Sequence, residues 1–432
     1  MISQRTSRPL SSRRRAWRIA HVQAVLWSAG NALTSGTPLY FLAMELGGRN
    51  TEVGVLLALP TLLGILRLAT PLLIARFDGD VKRACVALLT ASYVIALGLP
   101  AIAYLAGESA LHRPLLSLLV ILGVHQSLEY LGLVALYAWL GDIVPTKIRG
   151  TFFGARQFWQ LSIEIPVILA SGFAIDAWSE THPQAKLVAY AVALGGGVVC
   201  LFGSVAALTA LKAPVKQTSL GQTPWREVLA PFADASFRRL LYYGCWFSTF
   251  NGLTASPQQT YPRQILGLGV FDLNAMRTGM RLGQFALSRP LGVLCDRIGH
   301  RPVLIVSQAC VAAAPLCFFI ATPKHAYWIA GAYALWSWYV GLNVGLPSLM
   351  LKLAPRGIGS PYVAAYFGVT GVCYAAATIS GGYVLDRLIT HYERTPLVGT
   401  WNIYHCAFFV AWITRTLGVG WLWCVREPER DN

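Results

Sequence analysis

The sequence predicts an all-α integral membrane protein with twelve transmembrane helices in two parallel six-helix repeats. Three observations carry that prediction: apolar blocks of bilayer length, positive charge gathered on one side, and motifs that recur across a polar connector. The 432 residues are 55% apolar and only 12% charged, whereas soluble domains carry about 25% charged residues.

A bilayer core takes about 20 largely uncharged helical residues per crossing. Blocks near 20–45, 53–75, 84–106, 114–141, 151–175, 186–211, 237–261, 272–295, 302–322, 326–350, 360–385 and 400–425 have that length. They are spans 1 to 12 in chain order. Their apolar residues run in blocks instead of alternating along segments of about ten residues, which disfavours a membrane β-barrel. The first block holds Trp27, Asn31, Thr34 and Pro38 and runs on to Met44. That is too long for a signal core, so it reads as a spanning helix and not as a cleavable leader.

The net charge of +16 would point to nucleic acid in a soluble chain. Its distribution points elsewhere, and no nucleic-acid partner is expected. Of the 35 Lys and Arg residues, seven lie in loops on one side (Arg49, Arg113, Lys186, Arg263, Lys324, Arg387 and Arg394). Six more lie within spans (Arg67, Arg156, Arg277, Arg281, Arg289 and Arg415), which leaves 22 of the 35 in the remaining loops and termini. That positive-inside bias predicts a multi-pass protein of the cell (inner) membrane with both termini cytoplasmic. The nine cysteines are scattered singly with no CxxC pair, so they read as packing residues, with neither a disulfide frame nor a metal site. No cofactor is expected.

The connections are short except for residues 212–239, which carry Pro214, Pro224 and Pro231. This divides the chain into a basic N-terminus (1–19), a first bundle (20–211), a linker (212–236), a second bundle (237–425) and a tail (426–432). Ser28-x-x-Asn31-x-Leu33-Thr34 in span 1 recurs as Ser248-x-x-Asn251-x-Leu253-Thr254 in span 7. Likewise Pro145 and 172–176 (GFAID) recur as Pro355 and 382–386 (GYVLD). Six crossings per half give both halves the same orientation, the parallel arrangement of a duplicated transporter.

Between spans 8 and 9 the chain reads Gly292-Val-Leu-Cys-Asp296-Arg297-Ile-Gly299-His300-Arg301. This resembles the G-x-x-x-D-R-x-G-R-R loop of the major facilitator superfamily, with His300 in place of one basic residue. The resemblance implies a cytoplasmic gate in which Asp296 meets a neighbouring helix end and the arginines link helices. Gly292, Asp296, Arg297, Gly299 and Arg301 are then the gating residues. The first-half counterpart is degraded: Pro71 replaces the glycine, Ala75 replaces the acid, and only basic residues such as Arg76, Lys82 and Arg83 remain. His125 and Gln126 stand near where proton-coupled members place an arginine. Span 5 has only Pro166 and Gly172 in place of the G-x-x-x-G-P run of drug antiporters.

A charge near the bilayer centre costs ~2.5–3.5 kcal/mol or more, so it marks a cavity or a partner. Glu129 in span 4 and Glu164 in span 5 are the midplane acids. Either is a candidate proton carrier, with Arg156 two turns from Glu164 as the switching partner and Gln160 between them. A fixed ion pair between spans 4 and 5 is the structural alternative. In span 8, Arg281 and Gln284 are substrate candidates on a stripe with Arg277 and Ser288, and the guanidinium favours an anion. Arg67 reads as a cytoplasmic-side pairing residue, and Arg415 as structural, with no partner in view. Asn31, Thr34 and Asn251 come from the repeated motif and offer paired donors and acceptors, although helix-to-helix bonding would use the same groups. Gln258 lies seven residues beyond Asn251, on the same helical face. Trp336, Tyr339 and Asn343 fall at helical spacing in span 10 and suit a solute with both apolar and polar parts.

The expected function is secondary active transport of a small organic solute, an anion among the options, by alternating access with proton coupling. The expected partners are that solute, the proton and membrane lipid, and the protein is expected to be a monomer. An exporter of amphipathic drugs or lipids and a non-transporting receptor or scaffold are the alternatives. No His/Asp/Glu metal set or Ser/His/Asp arrangement supports an enzyme, and no selectivity loop supports a channel.

Overall fold

The computed structural model describes residues 10–35, 37–47, 56, 59–60, 62–107, 112–211, 224–268, 270–355, 359–392, 402–425 and 427. The first nine residues, the centre of the linker and most of the tail, on which parts of the domain division rest, lie outside the described residues. Every regular element among the described residues is helical.

Span 1 becomes α1 (Leu10–Thr34) and α2 (Thr37–Glu45), and a 3-10 segment (Gly64–Ala69) leads into α3 (Thr70–Arg76). Spans 3 to 6 become α4 (Val81–Ala96) and α5 (Gly98–Gly107), α6 (Pro114–Ile143), α7 (Arg149–Thr181) and α8 (Lys186–Thr209). The amphipathic α9 (Pro224–Ala233) precedes α10 (Ala235–Leu253) and α11 (Ala255–Gln264), which together form span 7. Then follow α12 (Val270–Ile298), α13 (His300–Ile320), α14 (Trp328–Trp336), α15 (Tyr339–Leu353), α16 (Gly359–Tyr392) and α17 (Ile403–Cys424).

Among the described residues, 7 helices or helix runs are long and apolar enough to cross a bilayer. Of the remaining predicted spans, span 2 lies partly outside the described residues and the others are interrupted or charged. Spans 1, 7 and 10 are each broken into two helices, and α12 carries Asp272, Arg277, Arg281 and Arg289. Burial is inverted relative to a soluble protein. Phe173, Val192 and Val199 are 77%, 70% and 71% exposed, while Gln23, His125, Glu129, Gln308 and Arg415 are buried. Apolar side chains facing outward with polar ones packed inside is what a lipid solvent selects. The chain is therefore a multi-pass, all-α membrane protein.

The chain divides into two compact units that do not follow the linker. Unit 1 comprises Met1–Leu56, Lys82–Gly132 and Trp159–Pro214; unit 2 comprises Leu57–Val81, Leu133–Phe158 and Val215–Asn432. In unit 1, α1 lies against α8 at backbone distance: a Cβ added to Gly30 would meet Leu201 Cγ at 2.6 Å and the Gly197 carbonyl at 2.8 Å. In unit 2, α10 and α16 approach just as closely, since a Cβ on Gly252 would meet the Tyr374 carbonyl at 2.5 Å. Small residues permit such approaches where lipid offers no hydrophobic drive for helix association. Aromatic clusters fill the rest of unit 2, one around Phe237, Tyr243 and Tyr366 and another around Tyr261, Phe318 and Phe408.

Candidate functional site

The repeated motif ends a helix in both halves. Thr34 is the last residue of α1, and its hydroxyl donates to the Gly30 carbonyl at 2.9 Å. Thr254 caps α10, with its hydroxyl 3.3 Å from the Phe250 carbonyl, the same four-residue step back. A threonine bonded to that carbonyl competes with the helix ladder and bends it. Discontinuous helices of this kind are where transporters place substrate sites.

In unit 2 the break organises a polar cluster. Asn251 Nδ2 donates to Tyr339 Oη at 2.8 Å, and Tyr339 is the first residue of α15. Span 10 is itself broken at Ser337 and Trp338, so Trp336 ends α14 and does not share one continuous helix with Tyr339 and Asn343. This departs from the predicted spacing. The interruption contains neither Pro nor Gly; Ser337 bonds the Met280 carbonyl of α12 instead (3.2 Å). The two breaks meet at the Asn251–Tyr339 pair. Beside it, Gln284 is buried and donates to the Trp336 carbonyl (3.3 Å), while its own oxygen accepts from Arg281 Nη1 at 3.3 Å. Trp336 packs on Phe318 and Tyr333, and its indole nitrogen is buried with no acceptor among the described residues. Gln258 is buried with its Nε2 likewise unsatisfied. Arg277, Arg281 and Asn343 are exposed, and Asn31 is half-buried.

Arg415 has the partners that sequence reasoning did not supply. It is fully buried, its Nε donates to the Phe250 carbonyl at 3.4 Å, and Nη2 bonds the same carbonyl and the Thr254 hydroxyl. The residue thus caps the open end of α10, where the helix dipole favours a cation.

In unit 1, Glu129 is 2% exposed. Its Oε1 accepts the Trp27 indole N–H at 2.9 Å, and Oε2 lies 3.9 Å from His125 Nε2, one turn earlier on the same helix. His125 is itself buried and held from behind by Ser92, whose hydroxyl is 2.7 Å from Nδ1. His125 was set aside in the sequence as a residue standing where an arginine might be, although its i,i+4 spacing to Glu129 was a readable signal. Glu164 and Gln160 are half-buried, with the Gln160 carbonyl accepting from Ser28 at 3.0 Å, and Arg156 is buried.

The loop that follows Gly292 meets a neighbouring helix end. Asp296 accepts from Gly150 N at 2.8 Å and Thr151 N at 2.6 Å, the first amides of α7. An anion there meets both the orphan N–H groups and the positive end of the dipole. Gly292 makes the approach possible, since a Cβ would lie 2.5 Å from the Gly150 carbonyl. Gly299 has φ 101°, a conformation that suits glycine and sets the N-cap of α13. Arg301 donates to the Trp423 carbonyl (2.7 Å), tying α13 to α17, and Arg297 is exposed. In the degraded first-half loop, Lys82 donates to the carbonyls of Thr209 (2.8 Å) and Leu211 (2.6 Å), closing the end of α8. Arg67 sits 5.5 Å from the Phe367 ring centre, a cation–π contact.

Glu427 carries no local sequence signal, because its partners His300, Arg301 and Lys352 are 127, 126 and 75 residues away in the chain. It accepts from His300 N and Nδ1, from Arg301 N, and from Lys352 Nζ at 2.9 Å. Burial pushes its carboxyl pKa up, but these donors outweigh burial and hold it well below the usual carboxylate range.

No protein-family model matches the sequence, and no curated protein matches it either. Solved structures do. The fucose transporter FucP in its outward conformation superposes with a TM-score of 0.72 at 14% identity, over 96% of this chain and 100% of that one. A bacterial homologue of the iron transporter ferroportin gives 0.68 at 15% identity, over 95% and 99%. The proton:xylose symporter XylE gives 0.65 at 13% identity, over 96% of each chain. The chain therefore has the fold of the major facilitator superfamily transporters.

Proposed function

We propose that this protein is a secondary transporter that moves a small organic solute by alternating access, coupled to protons, and is not an enzyme. The observation that carries the reading is the pair of helix breaks at the repeated Asn-x-Leu-Thr motif, in a fold shared with FucP, XylE and the ferroportin homologue. In this reading twelve spans form two parallel bundles, 20–211 and 237–425, that move against each other with both termini in the cytoplasm. The working unit is a monomer. Asn31 and Thr34 in the first half, and Asn251, Gln258, Arg281, Gln284, Trp336, Tyr339 and Asn343 in the second, handle the solute. Two unsatisfied buried nitrogens, on Trp336 and Gln258, are ready donors. Gly292, Asp296, Arg297, Gly299 and Arg301 hold one end shut until Asp296 leaves the α7 amides.

Glu129 carries the proton, with Glu164 and Arg156 as its helpers. A buried carboxylate is stable only while its hydrogen bonds persist, and the Trp27 donor stands on α1 while Glu129 stands on α6, so relative movement of those two helices would withdraw it. In liposomes, the purified protein should show saturable solute flux that a proton gradient drives uphill. Glu129→Gln should reduce gradient-driven uptake by at least about ten-fold while solute counterflow persists. Unchanged uptake would remove Glu129 from the coupling role, and absence of any saturable flux would sink the transporter reading.

A further inference from the structure

We propose that the buried charge of Arg415 makes the Asn251–Tyr339 pair a receptor for a small organic carboxylate, so that the transported solute is an organic acid carried as its anion. This deepens the transport reading and rests on it.

Arg415 sits within α17 at 0% exposure. Its acceptors are all neutral: the Phe250 carbonyl and the Thr254 hydroxyl. Its Nη1 is buried with no acceptor, and among the described residues no carboxylate ion-pairs with it. An ionised group in a membrane interior normally finds a counter-ion, because an unpaired charge there is costly. The capping role explains Nε and Nη2. The helix dipole favours a cation at that end, but the partial charge of a helix end does not neutralise a whole buried guanidinium, and in the first half Gly30 packs onto Gly197 with no such charge between them.

The charge is connected to the candidate site. Arg415 bonds the Thr254 hydroxyl, which lies 3.3 Å from the Asn251 carbonyl, and Asn251 Nδ2 donates to Tyr339 Oη. Tyr339 accepts in that bond, so its own phenolic proton is not spent on Asn251. The Tyr339 and Tyr374 hydroxyls both lie within the electrostatic reach of the guanidinium. A phenol O–H backed by a buried positive charge is a donor suited to an anionic acceptor, since bonds to charged groups are about twice as strong as neutral ones. Arg415 does not touch the solute in this arrangement. It is a positioning residue that supplies the missing half of an ion pair at a distance, and the solute carboxylate supplies the other.

The test uses the full-length protein with matched acid and amide probes, lactate against lactamide, succinate against succinamide and benzoate against benzamide, at constant ionic strength. Thermal-shift titration should show at least one acid binding about ten-fold more tightly than its amide. Arg415→Gln keeps a hydrogen-bonding cap and should bring that ratio to near one, while Arg415→Lys should retain most of it. If Arg415→Gln does not fold, Tyr339→Phe serves instead: it should lower affinity for the acid several-fold and leave the amide unchanged. An acid preference that persists in Arg415→Gln, equal losses for acid and amide in Tyr339→Phe, or no acid outperforming its amide in the wild type would each overturn the proposal. Flux of the same probes in liposomes separates this failure from that of the transport reading. Saturable exchange of amides without acid preference defeats only the anion inference, and acid binding without exchange defeats only transport.

Discussion

Residues 28–34 and 248–254 give the same backbone break, but opposite chemistry closes it. The position four residues before the threonine is Gly30 in the first half and Phe250 in the second. Without a side chain at 30, α8 approaches until Gly197 and Leu201 fill the space directly. At 250 the helices are spaced by side chains: the Trp246 indole bonds the Thr414 carbonyl at 2.7 Å, and the freed Phe250 carbonyl is met by Arg415. The repeat therefore specifies where the helix ends, and one residue inside it decides whether the gap is sealed by packing or by charge. The gating loops differ in a parallel way. The second half has its acid on the α7 amides, whereas the first has Ala75 at the corresponding place and a basic cap from Lys82.

The sharpest way to break this comparison is Gly30→Leu. The added side chain has no room between α1 and α8, and overpacking of that kind costs about 3 kcal/mol. Thermal unfolding in detergent should show a large loss. Phe250→Leu removes volume from a side-chain-spaced contact and should cost about 1–2 kcal/mol. Equal losses at the two sites would mean that the first-half break is not sealed by packing. The next effect in size is Asp296→Asn, which weakens two charge-assisted bonds to a helix terminus and should cost about 1.5–3 kcal/mol. Amide exchange at Gly150 and Thr151 should rise with it. Ala75→Asp, with no recorded partner to meet, should change stability by under about 0.5 kcal/mol. An equally large gain there would show that the first-half loop had kept a latent gate.

Much of this architecture could be read in the sequence because it rests on side-chain identity at fixed spacing. The Asn-x-Leu-Thr repeat, the apolar blocks and the Asp296 loop are of that type. The break in span 10 was not legible, because Ser337 turns to a carbonyl of α12 with no Pro or Gly at the interruption, and Gly252 beside Thr254 reads equally well as a close-packing residue. The partners of Arg415 were hidden for the same reason: its principal acceptor is a main-chain carbonyl that becomes available only once α10 has ended. His125 is legible from its i,i+4 spacing to Glu129, whereas its second partner, Ser92, lies on another helix and leaves no local signal.

The smallest predicted effect concerns the helix ends, where the comparison can be sharpened by pH. In the first half, Lys82 donates to the Thr209 and Leu211 carbonyls at the end of α8. In the second, Glu427 joins the starts of α13 and the end of α15 through His300, Arg301 and Lys352. Its carboxyl is held below the usual range in the folded protein. The stabilisation it provides is therefore complete above the ordinary carboxyl pKa, about 4.3, and is lost as pH falls toward the lower folded value. Hydrogen exchange at the starts of α13 should be the same at pH 7 and pH 5 once corrected for intrinsic rates, and should rise only below about pH 4. Glu427→Gln should cost about 1 kcal/mol at neutral pH and abolish that acid dependence. The α8 end, which Lys82 holds through the Thr209 and Leu211 carbonyls, should show no acid-dependent release of its own. If it opened in step with α13, the two ends would be sharing one titrating group, and Glu427 would not be it.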